Sequence, residues 1–282
     1  MSDPLPKHVY KYLVAGRALE ILQRLLIRFS QASVLNDPLE FRPALSGMGS
    51  RTDVEHGTRQ RLLEKHPEIM ANLIARHGAD RAQELFDEVV AIGANAVETS
   101  ANYERSIKEL YEKLDANFGV LSLAETPVSP LMWSHYADGG RGFLIEFDSS
   151  HPWFSDKRDD SDSFRHLRKV SYIERSPSYF LNMPDQIALY TKSIEWNYEQ
   201  EWRIIRNFND ARLNAGKDGY DKDILLFAVP PSAITGVIAG YKVSISAYDE
   251  AATLLKTVPA LVHVKLGKAQ LNGDGSITIT DK

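Results

Sequence analysis

The sequence predicts an α+β fold: a mixed, mainly antiparallel sheet core with a long helical insertion after the first strands. Apolar residues recur three or four positions apart between residues 51 and 117, and strand-like runs outnumber helical ones in the last third. At 282 residues the chain is long enough to bury one large core. We therefore expect a single α+β domain over residues 1–282, with a helical insertion at 51–117 within it.

The N-terminal part predicts a strand, a helix and a turn. HVYKYLVAG combines aromatic and β-branched residues as strands do, and RALEILQRLLIRFS then spaces its leucines as a helix does. Arg28 and Ser30 are expected on a second strand. Asn36-Asp37-Pro38 is a turn signal, because proline fixes φ and the preceding side chains can bond nearby backbone. The chain should change direction there.

The later elements follow from glycine, proline and the alternation of apolar residues. Gly78 and Gly93 are expected to separate helices of the insertion, and Pro67 to lie near a helix start. FGVLSLAETPVSPLMWSHYADGGRGFLIEFD predicts a strand, a loop, a short helix, a glycine hairpin at Asp138-Gly139-Gly140, and a strand. Further strands are expected at KVSYI, WRIIRNF, LLFAVPP, TGVIAGYKV, LVHVKL and SITIT, and helices at DQIALYTKSIEW and AYDEAATLLK.

Composition narrows the classes of function. The net charge of −5 leaves no global positive field for a nucleic acid backbone, so such binding would need a local patch. The absence of cysteine excludes disulfides, thiolate nucleophiles and zinc sites that need sulfur. The start, MSDPLPKHVYKY, lacks the apolar core of a signal peptide, and no run reaches the roughly 18 apolar residues of a membrane span. We expect a cytoplasmic protein without a membrane segment.

The stretch WNYEQEWRII concentrates charge and aromatic rings. On a strand, Glu201, Arg203 and Ile205 would share one face, with Trp202 and Ile204 on the other, and Glu199 would join the first set if the strand started early. Two carboxylates on one face raise one pKa unless a cation compensates. A Glu–Arg ladder on a sheet surface is the commoner interpretation of these residues alone.

A second chemistry-bearing stretch is LMWSHYADGGRGF. His135, Tyr136 and Arg141 could line a cleft with Trp133 packed below, or His135 could be a structural, hydrogen-bonded histidine. Its spacing to other ligand types does not match a metal site, and Ser134 lacks the setting of a hydrolase nucleophile. The glycines match neither a P-loop nor a dinucleotide fingerprint.

The N-terminal candidates are equally open to two interpretations. Tyr10 and Tyr12 face one way on the first strand with Lys11 opposite, and core packing explains the tyrosines. The acids Asp37 and Glu40 belong to a turn or face a cleft, and nothing in the local sequence decides between these.

Taken in order, the motifs resemble those of a bacterial domain-of-unknown-function family, number twenty-nine seventy-one. The motifs are VYKY, NDPLE, WSHYA followed by GFLIEFD, and WNYEQEWR. The resemblance covers nearly the whole chain except the helical insertion and the extreme C-terminus. Because this family has no settled activity, membership implies no reaction.

The chain also resembles, more weakly, the ADP-ribosyltransferase-like fold. The candidates for its early, middle and late site elements are, in that order, Tyr10, Lys11 and Tyr12; His135 and Tyr136, or Arg28 and Ser30; and Glu199 with Glu201. This resemblance implies that Glu201 stabilises an oxocarbenium-like transition state during cleavage of the nicotinamide–ribose bond. It implies that Tyr12 or Tyr136 stacks on nicotinamide, and that Arg28, Arg141 or Arg203 holds the diphosphate. Further pocket residues would be Asn36, Asp37, Glu40, Trp133 and Trp196.

Three hypotheses follow, and whether the chain is an enzyme stays open among them. The first is an NAD-dependent ADP-ribosyltransferase or NAD glycohydrolase of a bacterial stress or phage-defence system, with NAD as substrate and no metal. It predicts that Tyr12, His135, Tyr136 and Glu201 meet in one pocket. The second is a non-catalytic module that binds a ligand, or a protein through the helical insertion. The third is a nuclease whose carboxylates Asp37, Glu40, Glu199 and Glu201 hold Mg²⁺.

Overall fold

The fold has the α+β class that the sequence predicts, with a mostly antiparallel sheet. The computed structural model describes residues 4–37, 45–47, 50–97, 100–159, 162, 164–174, 179–180 and 189–281. Its helices are α1 (Ala15–Arg24), α2 (Arg51–Lys65), α3 (Ile69–His77), α4 (Ala79–Val97), α5 (Ser100–Asn117), α6 (Pro130–Tyr136) and α7 (Ile245–Thr257). Its strands are β1 (His8–Leu13), β2 (Leu26–Arg28), β3 (Leu45–Gly47), β4 (Phe118–Ala124), β5 (Phe143–Asp148), β6 (Arg168–Lys169), β7 (Ser171–Ile173), β8 (Tyr179–Phe180), β9 (Thr191–Ser193), β10 (Glu201–Asn207), β11 (Leu213–Lys217), β12 (Asp223–Ala228), β13 (Ile234–Ala239), β14 (Lys265–Leu271) and β15 (Ile277–Asp281).

The chain divides into two units. The larger comprises Met1–Glu40, Asp115–Arg175 and Leu189–Lys282, and the smaller comprises Phe41–Leu114 and Ser176–Ala188. The predicted arrangement of one domain with an insertion at 51–117 stays a prediction. No helix of the described residues combines the length and the apolar character that crossing a bilayer requires.

The larger unit is built on a sheet whose described strands lie in the order β15-β14-β13-β5-β1-β4-β10-β6. Its pairs are antiparallel except β13 with β14, which are parallel and are connected through α7. A second antiparallel sheet has the order β11-β12-β2, and β7 pairs with β9 in parallel.

Side chains alternate between two apolar layers, one on each face of the main sheet. In β1, Val9 belongs to the layer that includes α1 and α7, whereas Tyr10 and Tyr12 belong to the layer that includes α6. In β10, Trp202 and Ile204 share the layer of Val9. The alternation expected for WRIIRNF is therefore present, with β10 beginning at Glu201.

The smaller unit contains most of the helical block. Ser50 caps α2 through a reciprocal capping box with Asp53, and Gly78 follows α3 at a φ of 81°. Gly93 does not separate helices: it lies inside α4, where an added Cβ would stand 2.9 Å from Cγ2 of Thr58. The predicted partner surface on these helices stays a prediction.

Three other element predictions are wrong in the described residues. The helix that starts near Ala15 ends at Arg24, because Leu25 adopts a φ of 52° and β2 follows. The helix predicted at DQIALYTKSIEW is wrong from residue 190 onward: residues 185–188 lie outside the described residues and Leu189 is helical, but β9 and then a 3₁₀ turn at Ile194–Glu199 follow. LVHVKL begins with a turn, and its strand starts only at Lys265. In the second case the tertiary pairing of β9 with β7 overrides local helical spacing.

The glycine cluster does not form a hairpin. β4 and β5 lie on either side of β1, so Asp138-Gly139-Gly140 does not join two paired strands. The glycines instead allow close backbone approach: a Cβ on Gly142 would stand 2.0 Å from the carbonyl oxygen of Leu13, and one on Gly240 would stand 2.2 Å from that of Gly140. This packing holds the start of β5, at Phe143, close to the end of β1 and the end of β13.

A candidate pocket where two strands diverge along β4

The pocket begins where β1 separates from β4. The two strands pair only at Tyr10 and Ala124. Four residues back along β4, Val120 exchanges two backbone hydrogen bonds of 2.9 Å with Ser30, which follows β2. The antiparallel alternation directs the Ser122 backbone to the same edge, where its carbonyl oxygen accepts a 2.8 Å hydrogen bond from Nζ of Lys11. A lysine side chain thus bonds the edge of β4 between its two backbone pairings.

A cavity of about 210 Å³ lies at this divergence. Its walls come from β1, the turn after β2, β4, α6, and the segment around β9 and β10. The lining residues are Tyr10, Lys11, Tyr12, Ser30, Val34, Leu35, Asn36, Val120, Ser122, Leu123, Ala124, Met132, Tyr136, Lys192, Glu199 and Glu201. The start, middle and late parts of the sequence therefore meet in one hollow.

Glu199 ends a chain of hydrogen bonds on the pocket wall. Its Oε1 accepts a 2.5 Å hydrogen bond from the Tyr136 hydroxyl, which in turn accepts one of 2.9 Å from Nδ2 of Asn36. Its Oε2 accepts a 2.7 Å hydrogen bond from Nζ of Lys192. Burial and the neighbouring Glu199 carboxylate raise the pKa of Tyr136, so the tyrosine is the proton donor of this pair at neutral pH.

Glu201 is held from the opposite direction by Arg203. Nε and Nη2 of Arg203 donate to Oε1 and Oε2 of Glu201 over 2.6 and 2.8 Å, which is a two-point charge-assisted contact. Nη1 of Arg203 donates to the carbonyl of Leu189 over 2.9 Å. The side chains are 3% and 0% exposed, so the predicted Glu–Arg pair exists, but the prediction that it lies on the sheet surface is wrong.

Lys192 joins the two carboxylates. Its Nζ lies 3.4 Å from Oε2 of Glu201 as well as 2.7 Å from Glu199. Burial by itself lowers the pKa of Lys192, but the two carboxylates outweigh burial and raise it above the ordinary value. Burial raises the pKa of the Glu201 carboxyl to about 7, against the opposing charge of Lys192. The pocket wall is a compact cluster of opposite charges shielded from water.

The two glutamates do not meet as neighbours on one strand. Glu199 ends the 3₁₀ turn, Gln200 takes left-handed φ and ψ values of 44° and 54°, and Glu201 opens β10. The turn at Gln200 directs both carboxylates toward Lys192. β10 therefore does not start early enough to include Glu199, which was the condition for Glu199 to share the strand face of Glu201.

One comparison with known proteins gives a match at this site. Residues 132–204 match the family model described as protein of unknown function (DUF2971). The similarity to this family covers 73 of the 282 residues. The family predicted from the motifs is thereby confirmed over these residues. No curated protein and no solved structure matches the chain.

The segment that matches DUF2971 supplies the charged wall of the pocket. Met132, Tyr136, Lys192, Glu199 and Glu201 all lie within residues 132–204. The lining residues from β1, the turn after β2 and β4 come before this segment, so the pocket joins the matched part of the chain to strands that precede it.

Seven residues chosen from the sequence do not line the pocket. His135 is exposed and its Nδ1 contacts the Tyr198 hydroxyl over 3.1 Å, so the predicted convergence of His135 with Tyr12, Tyr136 and Glu201 is wrong for the histidine. The other six are Arg28, Asp37, Trp133, Arg141, Trp196 and Arg203. Glu40 lies outside the described residues.

These residues have other contacts. Arg28 pairs with Asp218 over 2.6 Å and exposed Arg141 with Asp138 over 3.6 Å, so neither is directed at the cavity. Trp133 packs edge-on against the Tyr12 ring at 5.4 Å. Trp196 lies under Nζ of Lys192 at 4.8 Å, and buried Asp37 acts on the charge of Arg203, so these two support the charged wall from behind.

Sequence reasoning missed Lys192 and Ser122. Lys192 falls in a stretch with helical spacing, and Ser122 lies in an apolar strand, so neither carries a local signal. Among the described residues, no three acidic or histidine side chains gather in a way that fits a metal ion.

Proposed function

We propose that the pocket takes the nicotinamide–ribose part of NAD or a related nucleotide and cleaves its N-glycosidic bond, as a glycohydrolase or an ADP-ribosyltransferase. The observation that carries the proposal is the pair of buried carboxylates, Glu199 and Glu201, on the wall of a cavity also lined by Tyr10, Tyr12 and Tyr136. A cavity lined by both aromatic rings and acids suits a planar ring attached to a sugar. A setting in bacterial stress or phage defence belongs to this proposal and rests on sequence resemblance alone, and a cytoplasmic location belongs to it on the composition of the chain.

The reaction balances with the groups present. The bond between the ribose C1′ and the nicotinamide nitrogen breaks, its electron pair stays on that nitrogen, and nicotinamide leaves as a neutral molecule. Positive charge develops on the ribose, where a carboxylate stabilises it. A water or an acceptor hydroxyl then bonds to C1′, and its proton passes to a base. Glu201, whose burial raises its pKa to about 7, suits that role.

The size of the cavity limits which part of the substrate it takes. Pockets that enclose drug-sized ligands span roughly 300–1,000 Å³. A cavity of about 210 Å³ suits a ring and part of a sugar. The remaining nucleotide would therefore lie outside it.

A second candidate is a pocket that binds a small polar ligand without chemistry. The observation that favours it is that Lys192 and Arg203 already neutralise both carboxylates. A fully paired buried acid has less charge to offer a transition state, while the same network would fix the orientation of a neutral polar ligand.

The test follows nicotinamide release from NAD by purified protein, alone and with cell lysate. Wild type is compared with Glu201→Gln and Glu199→Gln, and with Glu250→Gln as the matched control on the exposed face of α7. We expect Glu201→Gln to lower release by at least about 100-fold and Glu250→Gln to leave it unchanged. Equal release from Glu201→Gln and wild type would remove Glu201 from the mechanism.

Calorimetric titration with NAD and with nicotinamide separates the two candidates. Binding without release supports the non-catalytic pocket, and neither binding nor release rejects both candidates for this ligand class. Circular dichroism and unfolding curves establish that each variant is folded, because Glu201→Gln takes a carboxylate away from buried Arg203.

A further inference from the structure

The two lysines of the pocket differ in their partners. Lys192 is 4% exposed and forms ion pairs with two carboxylates. Lys11 is partly buried, and its Nζ donates to a neutral acceptor, the Ser122 carbonyl, over 2.8 Å. Among the described residues, no carboxylate oxygen lies within ion-pair distance of the Lys11 Nζ; Glu199 and Glu201 act on its charge only from further away. One lysine is a fixed counter-ion, and the other is a cation without a paired anion.

The backbone around Lys11 explains this difference. Lys11 lies one residue past the single pairing of β1 with β4, on the part of β1 that has separated from β4. Its side chain therefore bridges the opening and lines the cavity together with Tyr10 and Tyr12. Burial lowers the pKa of Lys11 to about 8, although the distant carboxylates oppose the shift.

A lysine in such a setting is a nucleophile. An amine whose pKa is about 8 is neutral roughly one time in eleven at pH 7, against about one in three thousand at the ordinary value of 10.5. The neutral form carries the lone pair that attacks an electrophilic carbon. Lys192, with its raised pKa, lacks that form at neutral pH.

We propose that Lys11 is a reactive amine that captures a small aldehyde in the pocket as an imine. The amine nitrogen bonds to the carbonyl carbon, the carbonyl π pair moves to oxygen, and a proton passes from nitrogen to that oxygen. The resulting hydroxyl is then protonated and leaves as water while the nitrogen lone pair forms the C=N bond. The sum is amine plus aldehyde giving imine plus water, with nothing oxidised or reduced.

One acid of the pocket wall, Glu201, suits the proton transfer that this step needs. Burial raises the pKa of its carboxyl to about 7, and its charge acts on Lys11. A cavity of about 210 Å³ has room for an aldehyde of a few carbons. The proposal does not depend on cleavage of NAD, because it uses the amine of β1 rather than a carboxylate as the reacting group.

The experiment treats the wild-type protein with glycolaldehyde and cyanoborohydride at pH 7 for short times. Cyanoborohydride supplies the hydride that fixes an imine as a stable secondary amine, and peptide mass analysis locates the modified lysines. We expect Lys11 to react at least about ten-fold faster than Lys108, whose side chain is 77% exposed, and Lys192 to stay unmodified. Reaction at Lys11 no faster than at Lys108 would overturn the proposal.

Two further measurements identify the pocket as the cause. Lys11→Arg should lose the fast-reacting site while Lys108 reacts as before, with an unchanged circular dichroism spectrum as the folding control. Tyr136→Phe, which changes another residue of the cavity lining but keeps the lysine, should alter the rate at Lys11 and leave Lys108 unaffected. If Lys11 reacts equally fast in urea-unfolded protein, the reactivity is not a property of the pocket and the proposal is rejected. The NAD assay is a separate measurement. Whether or not the protein releases nicotinamide from NAD, the comparison of Lys11 with Lys108 decides this proposal.

Discussion

Lys192 donates a 2.7 Å hydrogen bond to Glu199 at a site where both side chains are about 95% buried. A buried ion pair keeps its energy only while both partners are present, because one charge left alone in a dry site has neither water nor a counter-ion. The same ammonium also faces Glu201. Much of the charge balance of the pocket therefore depends on this one side chain.

Replacement of Lys192 by Met should destabilise the protein by about 3–5 kcal/mol, because it leaves two buried carboxylates short of a cation. Urea unfolding at pH 7 measures this change in the free energy of unfolding. Lys108→Met is the control, since its exposed pair with Glu112 is worth at most about 1 kcal/mol. A loss no larger than that of the control would show that the carboxylates do not need Lys192.

The lowered pKa of Lys11 predicts how stability depends on pH. The folded protein releases this proton near pH 8, whereas the unfolded chain keeps it until about pH 10.5. The unfolded state therefore binds more protons between these values, and stability rises with pH across that window. Wild type should gain on the order of 1–3 kcal/mol relative to Lys11→Met between pH 8 and 10.5. Parallel stability curves for the two proteins would contradict the shift.

Removal of the Tyr136 hydroxyl tests the hydrogen-bond chain to Glu199. Tyr136→Phe deletes a donor to a buried carboxylate and an acceptor for Asn36, so we expect a loss of about 1.5–3 kcal/mol. Tyr198→Phe is the matched control. Among the residues that the structure describes, the Tyr198 hydroxyl contacts only the exposed ring of His135. The comparison uses denaturant midpoints at pH 7. If both variants lose the same free energy of unfolding, the hydrogen bond from Tyr136 to Glu199 stabilises the protein no more than an exposed tyrosine hydroxyl does.

The close backbone approach at Gly142 predicts a severe effect of one methyl group. A Cβ there would stand 2.0 Å from the Leu13 carbonyl oxygen, so Gly142→Ala should cost more than about 3 kcal/mol or prevent folding. Gly219→Ala, where nothing lies within 4 Å of the added Cβ, should stay within about 0.5 kcal/mol of wild type. Yield of folded protein and the unfolding midpoint are the measurements. A Gly142→Ala protein as stable as Gly219→Ala would mean that the strands can move apart freely.

Local sequence patterns predicted most elements because their causes lie within a few residues. Alternation in FLIEF and WRII places one apolar set on each sheet face, and those strands form as expected. The helix at Lys192 fails for the opposite reason: β9 forms because residues 171–173 pair with it. Local spacing contains no information about that partner.

The residues of the candidate site also fall into those that the sequence identified and those that only the fold could place. Tyr136 and Glu201 were identified from residue chemistry and motif context, and both line the cavity. His135 has the same chemistry and lies next to Tyr136, yet it is exposed, because adjacent residues on a helix point in different directions. Residue type selects candidates, and only the fold decides which of them face the hollow.

By itself the sequence determined the α+β class, the order of most helices and strands, and the acids and tyrosines available for chemistry. Tertiary structure alone decided that β1 leaves β4 after one pairing, that Lys11 reaches a carbonyl 111 residues away, and that Lys192 stands between two glutamates. The physical reason is the sequence distance over which each interaction acts. Helix and strand periodicities follow from side chains close in sequence. The burial of a charge and the opening of a cavity depend on which backbone segments, far apart in sequence, pair or fail to pair.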